Sequence, residues 1–209
     1  MPDPSARRGG CGAGVKIGAI VLAAGGSARL GQAKQLLTYH GQTLVRRSAQ
    51  AALEAGCAPA IVVLGFEHER ISAQLCDLPV EIARNEHWER GMGSSLRLGV
   101  QAATDCDALV LLACDQPHVT PEILQRLVET QRKTNCPMVA SAYAATRGVP
   151  ALFARALFPA LLSLADERGA KSIIAAASEA EVALIDFPEG AIDIDTRQDY
   201  EQAYRSPSP

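Results

Sequence analysis

The 209-residue chain has no apolar run approaching the roughly 18 to 20 residues that a membrane helix needs. It shows no signal-peptide pattern either, because the opening MPDPSARRGGCGAG is polar and glycine-rich. Both absences set the expectation of a soluble, cytoplasmic protein whose residues 1–14 form a flexible tail. No C-x-x-C pair occurs among Cys11, Cys57, Cys76, Cys106, Cys114 and Cys136, and His40, His68, His87 and His118 are equally dispersed. Zinc-site spacing is thereby excluded, and the cysteines read as reduced packing residues. Internal repeats and interdomain linkers are missing too, so one domain is expected over 15–204, followed by a short tail over 205–209. Lysine is scarce. Only Lys16, Lys34, Lys133 and Lys171 stand among the 20 basic residues, so a lysine inside a glycine-rich loop is conspicuous.

What is present is an ordinary globular balance, with 48% apolar and 21% charged residues, which excludes disorder and a fibrous repeat. The net charge of −3 hides an asymmetry: residues 1–50 carry Arg7, Arg8, Lys16, Arg29, Lys34, Arg46 and Arg47 against Asp3 alone. A basic N-terminal third on an acidic body favours a local anionic ligand over a broad nucleic-acid face. Arg46 and Arg47 read as solvated helix residues.

Apolar runs bounded by turn signals occur at Ile17–Leu22, Ala60–Leu64, Val80–Ala83, Ala108–Ala113, Met138–Ala142 and Val182–Ile185. They read as strands buried on both faces. Pro150–Phe153 is a candidate seventh. Helical patterns lie between them at Thr43–Ala55, Gly91–Ala103, Arg155–Leu164 and Gly169–Ala177, and Thr120-Pro121-Glu122 reads as a helix start. The alternation predicts a three-layer α/β/α sandwich with a mostly parallel, Rossmann-like sheet. Ligands of such sheets sit beyond the strands' carboxyl ends, at the topological switch point.

The first strand runs into Ala23-Ala24-Gly25-Gly26-Ser27-Ala28-Arg29-Leu30-Gly31-Gln32-Ala33-Lys34. Paired glycines let backbone approach a polyphosphate, and Arg29 and Lys34 supply full charge. A Walker A loop needs lysine directly after its second glycine, whereas Gln32 follows Gly31; a dinucleotide fingerprint needs G-x-G-x-x-G, which Gly25-Gly26-Ser27 does not give. Gly10-Cys11-Gly12-Ala13-Gly14 precedes the strand, where no helix follows to bind phosphate. The plainer alternative is a glycine turn with two solvated bases.

The stretch Leu22-Ala23-Ala24-Gly25-x-Ser27-x-Arg29-x-Gly31-x-x-Lys34-Gln35-Leu36-Leu37 resembles the signature of the MobA-like nucleotidyltransferases. More narrowly it is similar to their molybdenum cofactor cytidylyltransferase (MocA-like) branch. The resemblance continues in order through Gly91-Met92-Gly93-Ser94-Ser95-Leu96, Cys114-Asp115-Gln116-Pro117, Arg147-Gly148-Val149-Pro150, Gly169-Ala170-Lys171 and Asp193-Ile194-Asp195-Thr196. It covers residues 16–202 and implies a nucleotide-diphospho-sugar transferase-like fold. This chain departs from the pattern at Val149, where the family usually carries Asn, at Asp166, where it carries Gly, and at Arg197, where it carries Pro.

Asp115 ends the most apolar strand, so its carboxylate belongs at the sheet's carboxyl edge beside the first loop. A lone carboxylate there suits Mg2+, which takes few protein oxygens and adds phosphate and water; the alternative is a turn cap. Asp193 and Asp195 alternate and share a face if extended. Either could complete a metal pair, although Thr196 followed by Asp199 also reads as a helix cap. The resemblance favours Asp195. Ser94 and Ser95 open a helix whose amides can hold an anion, and related enzymes use that loop near nucleotide and acceptor; a serine-capped helix start is the alternative. Trp88 precedes the loop, with packing favoured over pterin stacking. Gly148 and Pro150 resemble the acceptor-side segment.

The implied reaction joins a nucleoside monophosphate from a triphosphate to a phosphorylated acceptor and releases pyrophosphate. Leu22 and the Ala23–Gly26 backbone hold the nucleotide, Arg29 and Lys34 its phosphates, and Asp115 with Asp195 the Mg2+. No general base is required, because an acceptor phosphate is already ionised. By resemblance the acceptor is molybdopterin and the product its cytosine dinucleotide, delivered to a xanthine dehydrogenase-type hydroxylase or its chaperone. Ala23-Ala24-Gly25, in place of the guanylyl branch's Ala-Gly-Gly, favours CTP over GTP. Nucleic acid and membrane are not expected partners. The alternatives are a relative using GTP or another phosphorylated acceptor, and a non-catalytic cofactor carrier.

Overall fold

The computed structural model describes residues 15–27 and 29–205. The expected tail at 1–14 lies outside the described residues, as does Ala28; of the tail expected at 205–209, positions 206–209 lie outside them, and Arg205 is instead the last residue of the final helix.

Seven strands form one sheet: β1 (Ile17–Ala23), β4 (Ala60–Leu64), β5 (Glu81–Arg84), β6 (Ala108–Ala113), β7 (Met138–Tyr143), β8 (Thr146–Ala154) and β9 (Val182–Asp186). The two-residue strands β2 (Thr38–Tyr39) and β3 (Gln42–Thr43) make a separate hairpin. Helices are α1 (Leu44–Glu54), α2 (His68–Ser72), α3 (Met92–Ala102), α4 (Pro121–Thr134), α5 (Phe158–Leu162), α6 (Lys171–Ala176) and α7 (Arg197–Arg205). None of the described helices is long and apolar enough to cross a membrane.

The sheet order is β5-β4-β1-β6-β8-β7-β9, parallel throughout except for β8, which runs antiparallel to both neighbours. From β1 the chain moves outward through β4 and β5, then returns to the other side of β1 as β6. The switch point therefore lies between β1 and β6, whose carboxyl ends carry Ala23 and Ala113.

Alternation of side chains along each strand sorts the core into two layers. Val21, Val62, Leu64, Val110 and Leu112 pack with Val45, Ala49, Leu124 and Leu127 of α1 and α4. Their alternates Ile20, Ile61, Val63, Leu109 and Leu111 pack with Leu96, Val100, Leu161 and Ile174 of α3, α5 and α6. Leu111 is fully buried, and truncating it to alanine is expected to cost about 2–5 kcal/mol. Gly99 admits the close approach of α3, since a Cβ there would stand 2.6 Å from Ile20.

The three-layer expectation stands, with four local corrections. Edge strands β5 and β9 are not buried on both faces, because each has one neighbouring strand and incomplete cover, and Ile82 and Leu184 are exposed. The helix expected over Arg155–Leu164 divides into a 3-10 turn at Arg155–Leu157 and α5, because Pro159 lacks an amide hydrogen and is accommodated only in a first turn. The expected Gly169–Ala177 helix is shortened to α6. The seventh strand is longer than Pro150–Phe153 and hairpins with β7, with a register shift between Ala140 and Ser141 opposite Pro150, which cannot donate to a ladder.

A small third cluster, Tyr39, Leu44, Ile194 and Ala203, fixes α7 against the β2–β3 hairpin. The Tyr200 hydroxyl donates to the Thr38 carbonyl at 2.6 Å, and Tyr204 bonds the same oxygen. This docking brings the chain's C-terminal segment back to the switch point.

Candidate active site

A cleft of about 310 Å³ opens at the switch point, lined by Leu22, Ala23, Ala24, Gly25, Gly26, Lys34, Ser95, Trp88 and Asp115, among others. Most of the residues expected to hold nucleotide thus share one cavity. Gly25 has open space where a side chain would be, whereas a Cβ on Gly26 would stand 2.9 Å from the Trp88 indole. The bareness of Gly26 therefore serves tryptophan packing, a use that the expectation of phosphate approach did not include. Trp88 also covers Gly65 and meets Phe66 edge-on at 5.7 Å, in keeping with the packing reading.

Lys34 connects the loop to the carboxylates. Its Nζ lies 2.5 Å from Asp115 Oδ2 and 2.7 Å from Asp195 Oδ1. Arg29, 77% exposed, reaches Asp195 Oδ2 at 3.3 Å. The two cations expected on phosphates thus pair with the two carboxylates expected on metal. Burial opposes the Lys34 charge, but the Asp115 and Asp195 carboxylates outweigh it and hold the ammonium well above the ordinary lysine range.

One backbone bond sets the register of the carboxylates: the Ile194 amide donates to the Asp115 carbonyl at 2.9 Å. Asp199 Oδ2 accepts from the Asp195 and Thr196 amides and from the Thr196 hydroxyl, at 3.2, 2.8 and 2.8 Å. The helix-cap reading of Thr196–Asp199 therefore holds, and it leaves the Asp195 carboxylate free for Lys34. Asp193 is exposed at its surface, yet desolvation by the site around it first, then the charges of Asp115 and Asp195, push its carboxyl up to about 6. Burial, reinforced by Asp115, raises the Cys114 thiol to about 12, so it stays protonated and is no nucleophile at neutral pH.

Among the described residues no group of three or more His, Cys, Asp or Glu side chains is arranged to hold a metal ion. The Asp115–Asp195 pair nevertheless fits Mg2+: two hard oxygen donors already clasp one cation, the Lys34 ammonium. Such a pair suits a metal that takes its remaining oxygens from phosphate and water.

Other expected residues are turned to internal work. Ser94 and Ser95 accept from the Asn85 side chain, both at 2.9 Å, and the Ser94 hydroxyl donates to the Gly91 carbonyl at 2.7 Å. The α3 amides expected to face an anion are partly covered, because the Gly93 amide donates to the Asp166 carbonyl at 2.8 Å. Gly91 and Gly93 have no side chain because the 165–168 backbone lies against them. Asp166, a departure from the family pattern, is clasped by Arg90 at 2.7 Å and by Arg97, which hold its carboxyl below the usual range. Gly148 and Pro150 lie on β8 outside the cleft lining; Tyr143 occupies the space a side chain at 148 would need and donates to the Val149 carbonyl at 3.1 Å.

The expectation that Arg46 and Arg47 are solvated helix residues is corrected for Arg47, whereas Arg46 stays at the surface in an exposed ion pair. Arg46 grips Asp77 with paired bonds of 2.6 and 2.7 Å, and Arg47 donates to the Pro117 carbonyl at 2.6 Å while lying over the Tyr39 ring. Sequence reasoning also missed Gln35, whose amide reaches back to the first loop, and Asn85. Each is a polar residue buried by packing, which spacing alone does not reveal.

The family model described as the MobA-like NTP transferase domain matches residues 19–182. Nicotine blue oxidoreductase of Paenarthrobacter nicotinovorans is 31% identical over 194 residues, spanning 89% of this chain and 94% of that protein. Purine catabolism protein PucB of Bacillus subtilis is 28% identical over 200 residues, spanning 90% and 96% respectively. The crystal structure of Rv0371c from Mycobacterium tuberculosis superposes with a TM-score of 0.80 at 29% identity, covering 92% of this chain and 98% of that one. A manganese complex of Rv0371c superposes with a TM-score of 0.76 at 26% identity, covering 92% of this chain and 100% of that one. With its sheet, cleft and motifs in this arrangement, the chain belongs to the MobA-like NTP transferase family and is by class a nucleotidyltransferase.

Proposed function

We propose that the protein is a Mg2+-dependent CTP:molybdopterin cytidylyltransferase acting in the cytoplasm. The convergence of Lys34, Asp115 and Asp195 at the mouth of a cleft formed by the first loop carries this reading. A pure carrier would have no use for a pair of carboxylates set beside the loop as ligands for a divalent metal.

An acceptor phosphate oxygen bonds to the α-phosphorus of CTP, the bond from that phosphorus to its bridging oxygen breaks, and pyrophosphate leaves with the electron pair. The first-loop backbone holds the triphosphate, and Lys34 and Arg29 exchange their carboxylate partners for its oxygens. Asp115 and Asp195 would hold the metal, which supplies charge neutralisation at the reacting phosphates. Positioning and electrostatics suffice for such a transfer. The acceptor enters from the side of Gly148, Pro150 and Tyr143, and residues 15–204 make up the catalytic domain.

The choice of CTP rests on Ala23-Ala24-Gly25. The name of the PucB relative points to purine catabolism, and purine oxidation is the chemistry of a xanthine dehydrogenase-type hydroxylase, the proposed recipient. Mass analysis of the product from CTP and molybdenum-loaded molybdopterin tests the reading. Molybdopterin cytosine dinucleotide is expected. Guanine dinucleotide formed only from GTP would reverse the base assignment, and redox turnover of nicotine blue without nucleotidyl transfer would replace the reaction by that named for the Paenarthrobacter relative.

A further inference from the structure

Gln35 is 1% exposed and directs both hydrogens of its side-chain amide at the first loop. Nε2 donates to the Ala23 carbonyl and to the Gly25 carbonyl, each at 2.8 Å. Its Oε1 is buried with no partner among the described residues. The acceptor end of the side chain is thus left unpaired while the donor end is fully used. The intervening Ala24 carbonyl turns the other way and accepts from the Phe66 amide at 3.0 Å.

A trans peptide is planar, with its N–H opposite its C=O. Drawing the Ala23 and Gly25 carbonyls toward Gln35 therefore turns the Ala24 and Gly26 amides away from it. Neither amide has an acceptor among the described residues. Both belong to the cleft lining, and Gly25 between them has open space beside it. Two free amides turned to the same side of a loop can together hold an anion.

We propose that Gln35 is a positioning residue: it sets the peptide planes of the first loop so that the Ala24 and Gly26 amides bind the phosphates of the nucleotide. This rests on the nucleotide reading of the cleft. Gln35 touches no substrate and acts through the backbone. It also explains why a polar side chain stays buried with half its hydrogen-bonding capacity unmet.

The test compares CTP with cytidine, which has the same base and no phosphate. In Gln35→Met, of similar shape but without donors, CTP affinity should fall about tenfold or more, the scale of losing charge-assisted hydrogen bonds, while cytidine affinity stays within about twofold. Equal CTP affinity in both proteins overturns the proposal, and so does parallel weakening of CTP and cytidine, the mark of a general packing defect. Wild-type protein keeps the proposal falsifiable if the variant fails to fold: inorganic pyrophosphate should shift the Ala24 and Gly26 amide proton resonances, and unmoved resonances overturn it. A wild type that binds no triphosphate defeats the nucleotide reading itself, whereas a wild type that binds CTP no better than Gln35→Met defeats only the role of Gln35.

Discussion

The Lys34 ammonium stands 2.5 Å from the Asp115 carboxylate and bridges it to Asp195, so on the proposed reading lysine and a divalent cation would compete for one pair of acids. Lys34→Met is expected to bind Mn2+ more tightly than wild type when no nucleotide is present, although it loses about 10²- to 10³-fold in turnover, the scale for removing one transition-state donor. Paramagnetic titration of free Mn2+ reads the first effect independently of activity. Unchanged or weaker metal binding would mean that Lys34 does not occupy the metal's place.

Asp199 orders the Asp195 backbone through the cap that begins α7. Asp199→Ala is expected to lose about 1 kcal/mol of stability, as for other lost caps, and to weaken Mn2+ binding in the presence of CTP. Calorimetric unfolding and metal titration together check it. A stability loss with metal affinity unaltered would show that the cap does not set the ligand's position.

Asp166 is held below the ordinary carboxylate range, chiefly by Arg97 and with Arg90 beside it. A depressed folded-state pKa adds stability above the unfolded value, and that stability is lost as pH falls through the folded value. Asp166→Asn should therefore melt below wild type at neutral pH, with the gap closing as pH falls below about 4. Melting curves across that range check the sign. A gap that persists at the lowest pH would assign the effect to shape and not to charge.

Trp88 is the single tryptophan and packs over Gly26 in the cleft lining. Its emission should be quenched by CTP in wild type, and should move to longer wavelength in Gly26→Val, where the added side chain displaces the indole. Fluorescence indifferent to both changes would place the nucleotide away from this wall.

The architecture was legible because apolar runs and turn residues report strands and helices locally. Edge strands β5 and β9 and the divided helix at Pro159 differ from expectation for reasons of neighbourhood, namely missing cover in two cases and a missing amide hydrogen in the third. Within the site, Lys34 and Asp115 stood out as charges at the ends of an apolar strand and a glycine loop. What could not be read was partnership. The pairing of Lys34 with both acids joins segments more than eighty residues apart, |i−j| being 81 and 161. Arg47 with Pro117 and Asp166 with Arg97 join segments 70 and 69 residues apart, and spacing along a chain does not encode such meetings. Gln35 sat inside a recognisable motif, yet its role depends on carbonyl directions that only three-dimensional structure shows.

The most direct measurement is pyrophosphate release by wild type and Asp115→Asn, with Mg2+, molybdenum-loaded molybdopterin and each of CTP, GTP, ATP and UTP. The account expects release with CTP alone, falling to background in Asp115→Asn while that variant keeps the wild-type fold. Release that is undiminished in Asp115→Asn, or absent from wild type with all four nucleotides, would contradict it.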